Sequence, residues 1–158
     1  MAFTSTPLWK NIQDAFKKNR ITTTGDNVTG FEKDIQQYLE QEIFTVALNS
    51  GTAALHLAFI LLDVKPEDYV ICQDLTFAAT INPVAYLGAK PVLVDSEKET
   101  WNMSPAFLEK AIQDCIQKGK KPKAIVWVNL YGMPAYIKEV DFIAEKKAKN
   151  SIFKLLIN

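Results

Sequence analysis

The stretch with the most capacity for ligand chemistry is Asn49–Ser50–Gly51–Thr52–Ala53–Ala54–Leu55. It lies between a short apolar run and an Ala- and Leu-rich segment, so it reads as a turn entering a helix. Small residues let the backbone turn tightly and come close to a ligand. A helix opening near Thr52 presents unpaired N–H groups and the positive end of its dipole. The Ser50 and Thr52 hydroxyls add hydrogen-bonding capacity. These are the parts of a phosphate cradle. They are also the parts of an ordinary helix start, with Ser50 or Thr52 as cap and Gly51 serving the turn, and the local pattern leaves both readings open.

A second candidate is Asp74–Leu75–Thr76–Phe77–Ala78–Ala79–Thr80. If it leaves the same sheet edge, the Phe77 ring can stack on a flat heterocycle whose phosphate sits at the first turn. Offset stacking contributes about 1 kcal/mol beyond area burial. Simple core packing is the competing reading for Phe77.

Positioning these groups requires a scaffold, and the pattern supplies one. Residues 7–18 carry apolar positions Leu8, Ile12, Ala15 and Phe16 at helical spacing, followed by a Thr- and Gly-rich loop from Thr22 through Thr23 to Asn27. A second helix is expected from Thr29, with Phe31, Ile35, Tyr38 and Leu39 on one side. Then strands and helices alternate. Strands are expected at 43–48, 69–72, 91–94, 124–129 and 151–157, and helices at 52–62, 77–87, 104–118 and 137–149. Pro83 interrupts or delays the second of these helices, while Ser104 and Pro105 form a cap and first position for the third. Continuously apolar strands alternating with helices imply an α/β fold with a largely parallel sheet. Ligands of such sheets bind beyond the carboxyl ends of the strands, which singles out loops 49–52, 73–77, 95–103 and 129–135.

Composition narrows the classes. Hydrophobic residues make up 48% and charged residues 23%, and 18 basic side chains balance 18 acidic ones. Nothing in this balance steers the chain toward nucleic acid or an anionic membrane. Lys118, Lys120, Lys121 and Lys123 read as a solvated loop. Cys72 and Cys115 lack metal-ligand spacing, and His56 is the single histidine, so no metal is expected; His56 reads as a packing residue. No signal-like start and no bilayer-length apolar run is present, which points to the cytoplasm.

Six ordered blocks carry a resemblance: residues 22–32 (TTTGDNVTGFE), 47–58 (ALNSGTAALHLA), 75–80 (LTFAAT), 86–95 (YLGAKPVLVD), 100–105 (TWNMSP) and 128–134 (VNLYGMP). Over residues 5–147 the chain resembles the N-terminal section of the DegT/DnrJ/StrS family of pyridoxal-phosphate (PLP) sugar aminotransferases. Its nearest likeness is to those aminating a UDP-4-keto-6-deoxy sugar, as in bacillosamine-type synthesis. The resemblance implies part of a fold type I large domain, with 1–42 as N-terminal helices and loop, 43–147 as βα units and 148–158 as an atypical tail. It implies that Gly51, Thr52 and Ala53 hold the PLP phosphate, that Phe77 stacks on the ring, and that Thr24 and Gly25 border the sugar-nucleotide entrance. It also implies a nucleotide-sugar substrate, an amino-acid donor and a homo-oligomer, in glycan or polysaccharide biosynthesis.

Transamination further requires a lysine that bonds to the cofactor and shuttles a proton, and a carboxylate that pairs with the pyridinium nitrogen. By the resemblance both follow residue 158, so no catalytic residue is expected here and the chain alone is expected to be inactive. Residues 148–158 (AKNSIFKLLIN) leave the family pattern, which suggests a truncated product, such as a frameshift within the Lys-rich stretch. Lys146, Lys147, Lys149 and Lys154 read as solvated. Asn129 stands where the family often has His, and Glu67–Asp68–Tyr69 replaces its usual Gly-Asp-Glu turn. Two alternatives compete. One is a dinucleotide-binding dehydrogenase domain, with Asp74 as the ribose-binding acid; the other is a non-catalytic remnant that folds or associates without turnover.

Overall fold

The computed structural model describes residues 7–20, 22, 24–39, 43–148 and 153–157. Thr23 and Lys149 lie outside them. The chain divides into two compact units, Met1–Asn49 and Ser50–Asn158.

The first unit contains α1 (Pro7–Lys17) and α2 (Asp26–Leu39). Helix α2 begins one turn before the expected start at Thr29. Asp26 stands in its first turn, where a carboxylate complements the positive helix end, and the Val28 and Thr29 N–H groups donate to Gly25 O. Arg20 pairs with Asp26 at 2.5 Å, while Lys18 pairs with Asp14. Residues 43–48 were expected to form a strand and have no regular structure. Among the described residues no strand pairs with this apolar run; instead the Ala47 N–H donates to the Glu32 carboxylate at 2.9 Å.

The second unit is a four-stranded parallel sheet in the order β2-β1-β3-β4. Its strands are β1 (Tyr69–Gln73), β2 (Lys90–Val94), β3 (Pro122–Val128) and β4 (Phe153–Ile157). The helices are α3 (Gly51–Leu61), α4 (Asn82–Tyr86), α5 (Pro105–Gln117) and α6 (Ile137–Ala148). The expected 77–87 helix is shorter than its pattern suggested. A 3-10 turn at Ala78–Thr80 precedes α4, and Pro83 occupies the first turn of α4, where its missing N–H costs nothing. Gly88 then ends the helix at φ 68, a left-handed conformation that favours glycine.

Each side of the sheet carries its own core. Strand alternation sends Val70, Cys72, Ala124 and Val126 to one side, with Phe59, Val64, Val84 and Ala89. Ile71, Ile125 and Trp127 go to the other, with Met103, Leu108, Ile112, Val140 and Ala144. Helix α5 shows the local logic well. Ser104 caps it by accepting from the Phe107 N–H at 3.4 Å, Pro105 opens it, and Leu108, Ile112 and Cys115 line its buried stripe. Fully burying each large aliphatic side chain stabilises by about 1.5–3 kcal/mol. Among the described residues β2 pairs with β1 alone, at the sheet margin, and the Lys90 N–H donates inward to Asp68 O at 2.8 Å.

Candidate functional site

At the carboxyl ends of β1 and β3, a cavity of about 940 Å3 opens beside the N-terminus of α3. Three segments wall it: Gly51, Ala54, Leu55 and Ala58 from α3, residues 75–77, 79 and 80 after β1, and Val128 at the end of β3 with residues 129–132 beyond it. Gly51 and Phe77, expected to act on one ligand, therefore line one space. The Phe77 ring is 80% exposed, so the core-packing reading does not apply to it. Thr52 and Ala53 are half-buried in the first turn of α3 and are not part of the lining.

Ser50 caps α3, as the plainer of the two readings had it. Its Oγ accepts from the Ala53 N–H at 3.1 Å, and its carbonyl accepts from the Ala54 N–H. The earlier amides, at Gly51 and Thr52, have no carbonyl one turn back to receive them. A side chain added at Gly51 would meet nothing within 4 Å, so the space over this helix start is open. Opposite, Thr76 and Thr80 hydroxyls hydrogen-bond at 2.8 Å and brace the loop that carries Phe77.

The third wall comes from the expected loop 129–135, though sequence reasoning gave no role to its Tyr131. Leu130–Gly132 forms a 3-10 turn in which Tyr131 has φ 52 and Gly132 φ 80. The Tyr131 side chain is fully exposed. Asn129 closes this turn: its carbonyl accepts from the Gly132 N–H at 2.9 Å and its Oδ1 from the Ala135 N–H at 3.0 Å. With asparagine in the place of the family's frequent histidine, a hydrogen-bonded turn still forms.

Loop 95–103 does not line the cavity. It folds on itself through a bridge between Ser96 and Met103 and sends Asn102 underneath. Gln73 and Asn102 are both 0% exposed. Gln73 Oε1 accepts from the Met103 and Val128 N–H groups at 3.1 and 3.2 Å, and its Nε2 donates to Leu75 O at 2.9 Å. Asn102 Oδ1 accepts from the Leu130 N–H at 2.9 Å, and its Nδ2 donates to Met133 O at 2.8 Å and to the Thr100 hydroxyl at 3.2 Å. The signal for this pair was a polar residue ending an otherwise apolar strand and an asparagine inside the TWNMSP block.

Other expected positions fall elsewhere. Thr24 and Gly25 line a separate cavity of about 560 Å3 within the first unit. Cys72 is buried, and burial pushes its thiol up to about 12. His56 is half-buried and packs edge-on against Tyr86, with ring centroids 5.7 Å apart. Lys147 pairs with Glu109 at 2.9 Å and Lys146 lies over the Phe142 ring. Asp74 follows β1 and is exposed, but residues 43–48 do not form the strand that a dinucleotide fold needs before its glycine turn. Among the described residues no helix is long and apolar enough to cross a membrane.

The sequence profile of the DegT/DnrJ/EryC1/StrS aminotransferase family matches residues 6–150. The chain belongs to this family. It is 46% identical over 129 residues to EpsN of Bacillus subtilis (strain 168), whose name assigns it provisionally to the pyridoxal phosphate-dependent aminotransferases; the match covers 82% of this chain and 33% of EpsN. A DegT DnrJ EryC1 StrS aminotransferase from Brucella abortus superposes with a TM-score of 0.82 at 34% identity, over 93% of this chain and 38% of that one. The PLP form of Spr1654 from Streptococcus pneumoniae, provisionally described as a sugar aminotransferase, gives 0.75 at 32% identity, over 89% and 34%. This member of the family thus spans about a third of the length of the relatives it matches. Its parallel sheet with flanking helices is part of a fold type I large domain.

Proposed function

We propose that this chain supplies the phosphate- and ring-binding part of a PLP-dependent nucleotide-sugar aminotransferase. The observation that carries this reading is the convergence of Gly51 and Phe77 on one cavity beside the start of α3. The Gly51 and Thr52 amides and the Thr52 hydroxyl receive the phosphate ester, assisted by the helix dipole. The Ala53 amide, already bonded to Ser50 Oγ, is shared with the ester or released to it. Phe77 lies against one face of the heterocycle and keeps water from it. Bound PLP supplies an electron sink for moving an amino group from an amino acid to a keto sugar.

The covalently bonded lysine and the pyridinium-pairing aspartate of relatives have no counterpart that we assign within these 158 residues. The reading therefore includes binding without turnover by this polypeptide alone. UDP-4-keto-6-deoxy sugars are the substrate class we assign to the complete enzyme, with an amino acid such as glutamate as donor. A homo-oligomer in the cytoplasm is its proposed setting.

Titrating the chain with PLP and following the cofactor's fluorescence tests this. Binding is expected to be saturable, and competed by inorganic phosphate. Phe77→Ala is expected to weaken it about fivefold, the loss of roughly 1 kcal/mol of stacking. Borohydride reduction is expected to fix no cofactor to any single lysine. A specific lysine adduct accompanied by a half-reaction with an amino acid would overturn the inactivity, and phosphate-insensitive binding would overturn the cradle.

A further inference from the structure

A fully buried carboxamide must place two donors and an acceptor oxygen, and leaving one of them unsatisfied is costly. Gln73 and Asn102 discharge this requirement almost wholly on the backbones beside the cavity. Gln73 holds Leu75 O, two residues before Phe77, and also the Val128 N–H at the foot of the opposite wall. Asn102 holds both sides of the Tyr131 turn, through the Leu130 N–H and Met133 O. The two residues are themselves joined. Gln73 Oε1 receives the Met103 N–H at 3.1 Å, and Gln73 Nε2 faces Asn102 Oδ1 at 3.5 Å.

We infer that Gln73 and Asn102 are positioning residues, which lock the separation between the Phe77-bearing loop and the Tyr131-bearing turn. Neither side chain lines the cavity, so each acts through the backbone it holds. The chemistry explains why amides serve here. A carboxylate at either position turns an oxygen toward the carbonyl of Leu75 or Met133, whereas an aliphatic side chain strands both a buried N–H and a buried carbonyl. The left-handed Tyr131 makes the turn especially dependent on outside support, because such a conformation persists only where its surroundings over-determine it.

Amide hydrogen exchange on the full chain tests this in Asn102→Leu, Gln73→Met and the double substitution. Each single change is expected to speed exchange at least about tenfold on both walls, at Thr80 and Ile81, whose N–H groups donate to Phe77 O and Ala78 O, and at residues 130, 132 and 133, as follows from losing a buried hydrogen bond. The amides of α5 and of the β1–β2 ladder are expected to stay protected. The double variant is expected to exceed the larger single effect only slightly, because a shared network is non-additive. Increases confined to amides that the substituted side chain touches would overturn the inference, as would full additivity or a uniform rise through Ser50–Asn158.

Thr100→Val is the milder variant, since it leaves both carboxamides in place and removes a hydroxyl that accepts from Asn102 Nδ2 and the Asn102 N–H and donates to the Glu97 carboxylate. It is expected to give the same two-wall pattern at about threefold, with a smaller fall in thermal midpoint than Asn102→Leu, and no response at either wall would count against the lock. The functional importance of this separation rests on the cofactor reading above, and PLP affinity keeps the two apart. Failure of the unsubstituted chain to bind PLP would sink the cofactor reading, while the exchange pattern decides the lock by itself.

Discussion

Helices α1 and α5 are each two-sided, with apolar residues recurring at helical spacing, yet they meet different fates. Helix α5 buries Leu108, Ile112 and Cys115 against the sheet. Neither α1 nor α2 buries a single residue, and Leu8, Phe16 and Tyr38 stand exposed. The difference does not lie in helix propensity or in the pattern. It lies in what meets the apolar stripe. A helix of 11 residues is marginal in water by itself, and most helical stability in proteins comes from the packed face. The Ser50–Asn158 unit provides that face for α5, through a sheet with a core on each side.

The sharpest way to break this contrast is native-state exchange. Amides of α1 are expected to exchange close to unfolded rates, and those of β1 and β3 to open only with the whole unit, a gap of at least about a thousandfold for a domain of ordinary stability. Equal protection in α1 and β3 would dissolve the distinction. Substitution should show the same asymmetry. Phe59→Ala empties a fully buried site in the core and is expected to cost about 3–5 kcal/mol. Phe16→Ala, at a ring that is 67% exposed, is expected to stay within about 0.5 kcal/mol, both read from denaturant unfolding.

An effect confined to alkaline pH is a stability slope. Burial raises the Cys72 thiol from near 9.0 to about 12, so the folded chain holds that proton where the unfolded chain releases it. Stability is thus full below about pH 9 and falls as pH rises toward 12, by on the order of 1 kcal/mol per pH unit within that window. Cys72→Ala is expected to flatten this alkaline slope. In native protein near neutral pH, Cys72 is expected to resist thiol reagents until the chain unfolds.

Much of the scaffold was legible because local signals agreed. At 104–118, a cap, a proline at the first position and an apolar stripe all said helix, and α5 is found at Pro105–Gln117. At 43–48 a single signal, apolar content, spoke for a strand, and strand formation depends on a partner that local sequence does not supply. The lining of the candidate site was legible where it is built from contiguous chain: Gly51 and Phe77 each follow a recognisable strand-end or turn signal, and both line one cavity. Tyr131 and the Gln73–Asn102 pair were not, because their roles arise from contacts 28 to 55 residues apart. A buried glutamine at a strand end looks in sequence like the first residue of a loop.

The margin formed by β2 has a consequence for self-association. With Lys90 donating inward, the period-two alternation of a strand turns residues 91 and 93 outward. Position 91 is proline, which carries no N–H, so Leu93 is the one outward-facing donor in that five-residue strand. An incoming extended chain would find a ladder with its first rung removed, which is a recurrent guard against fibril-like growth along an open sheet border.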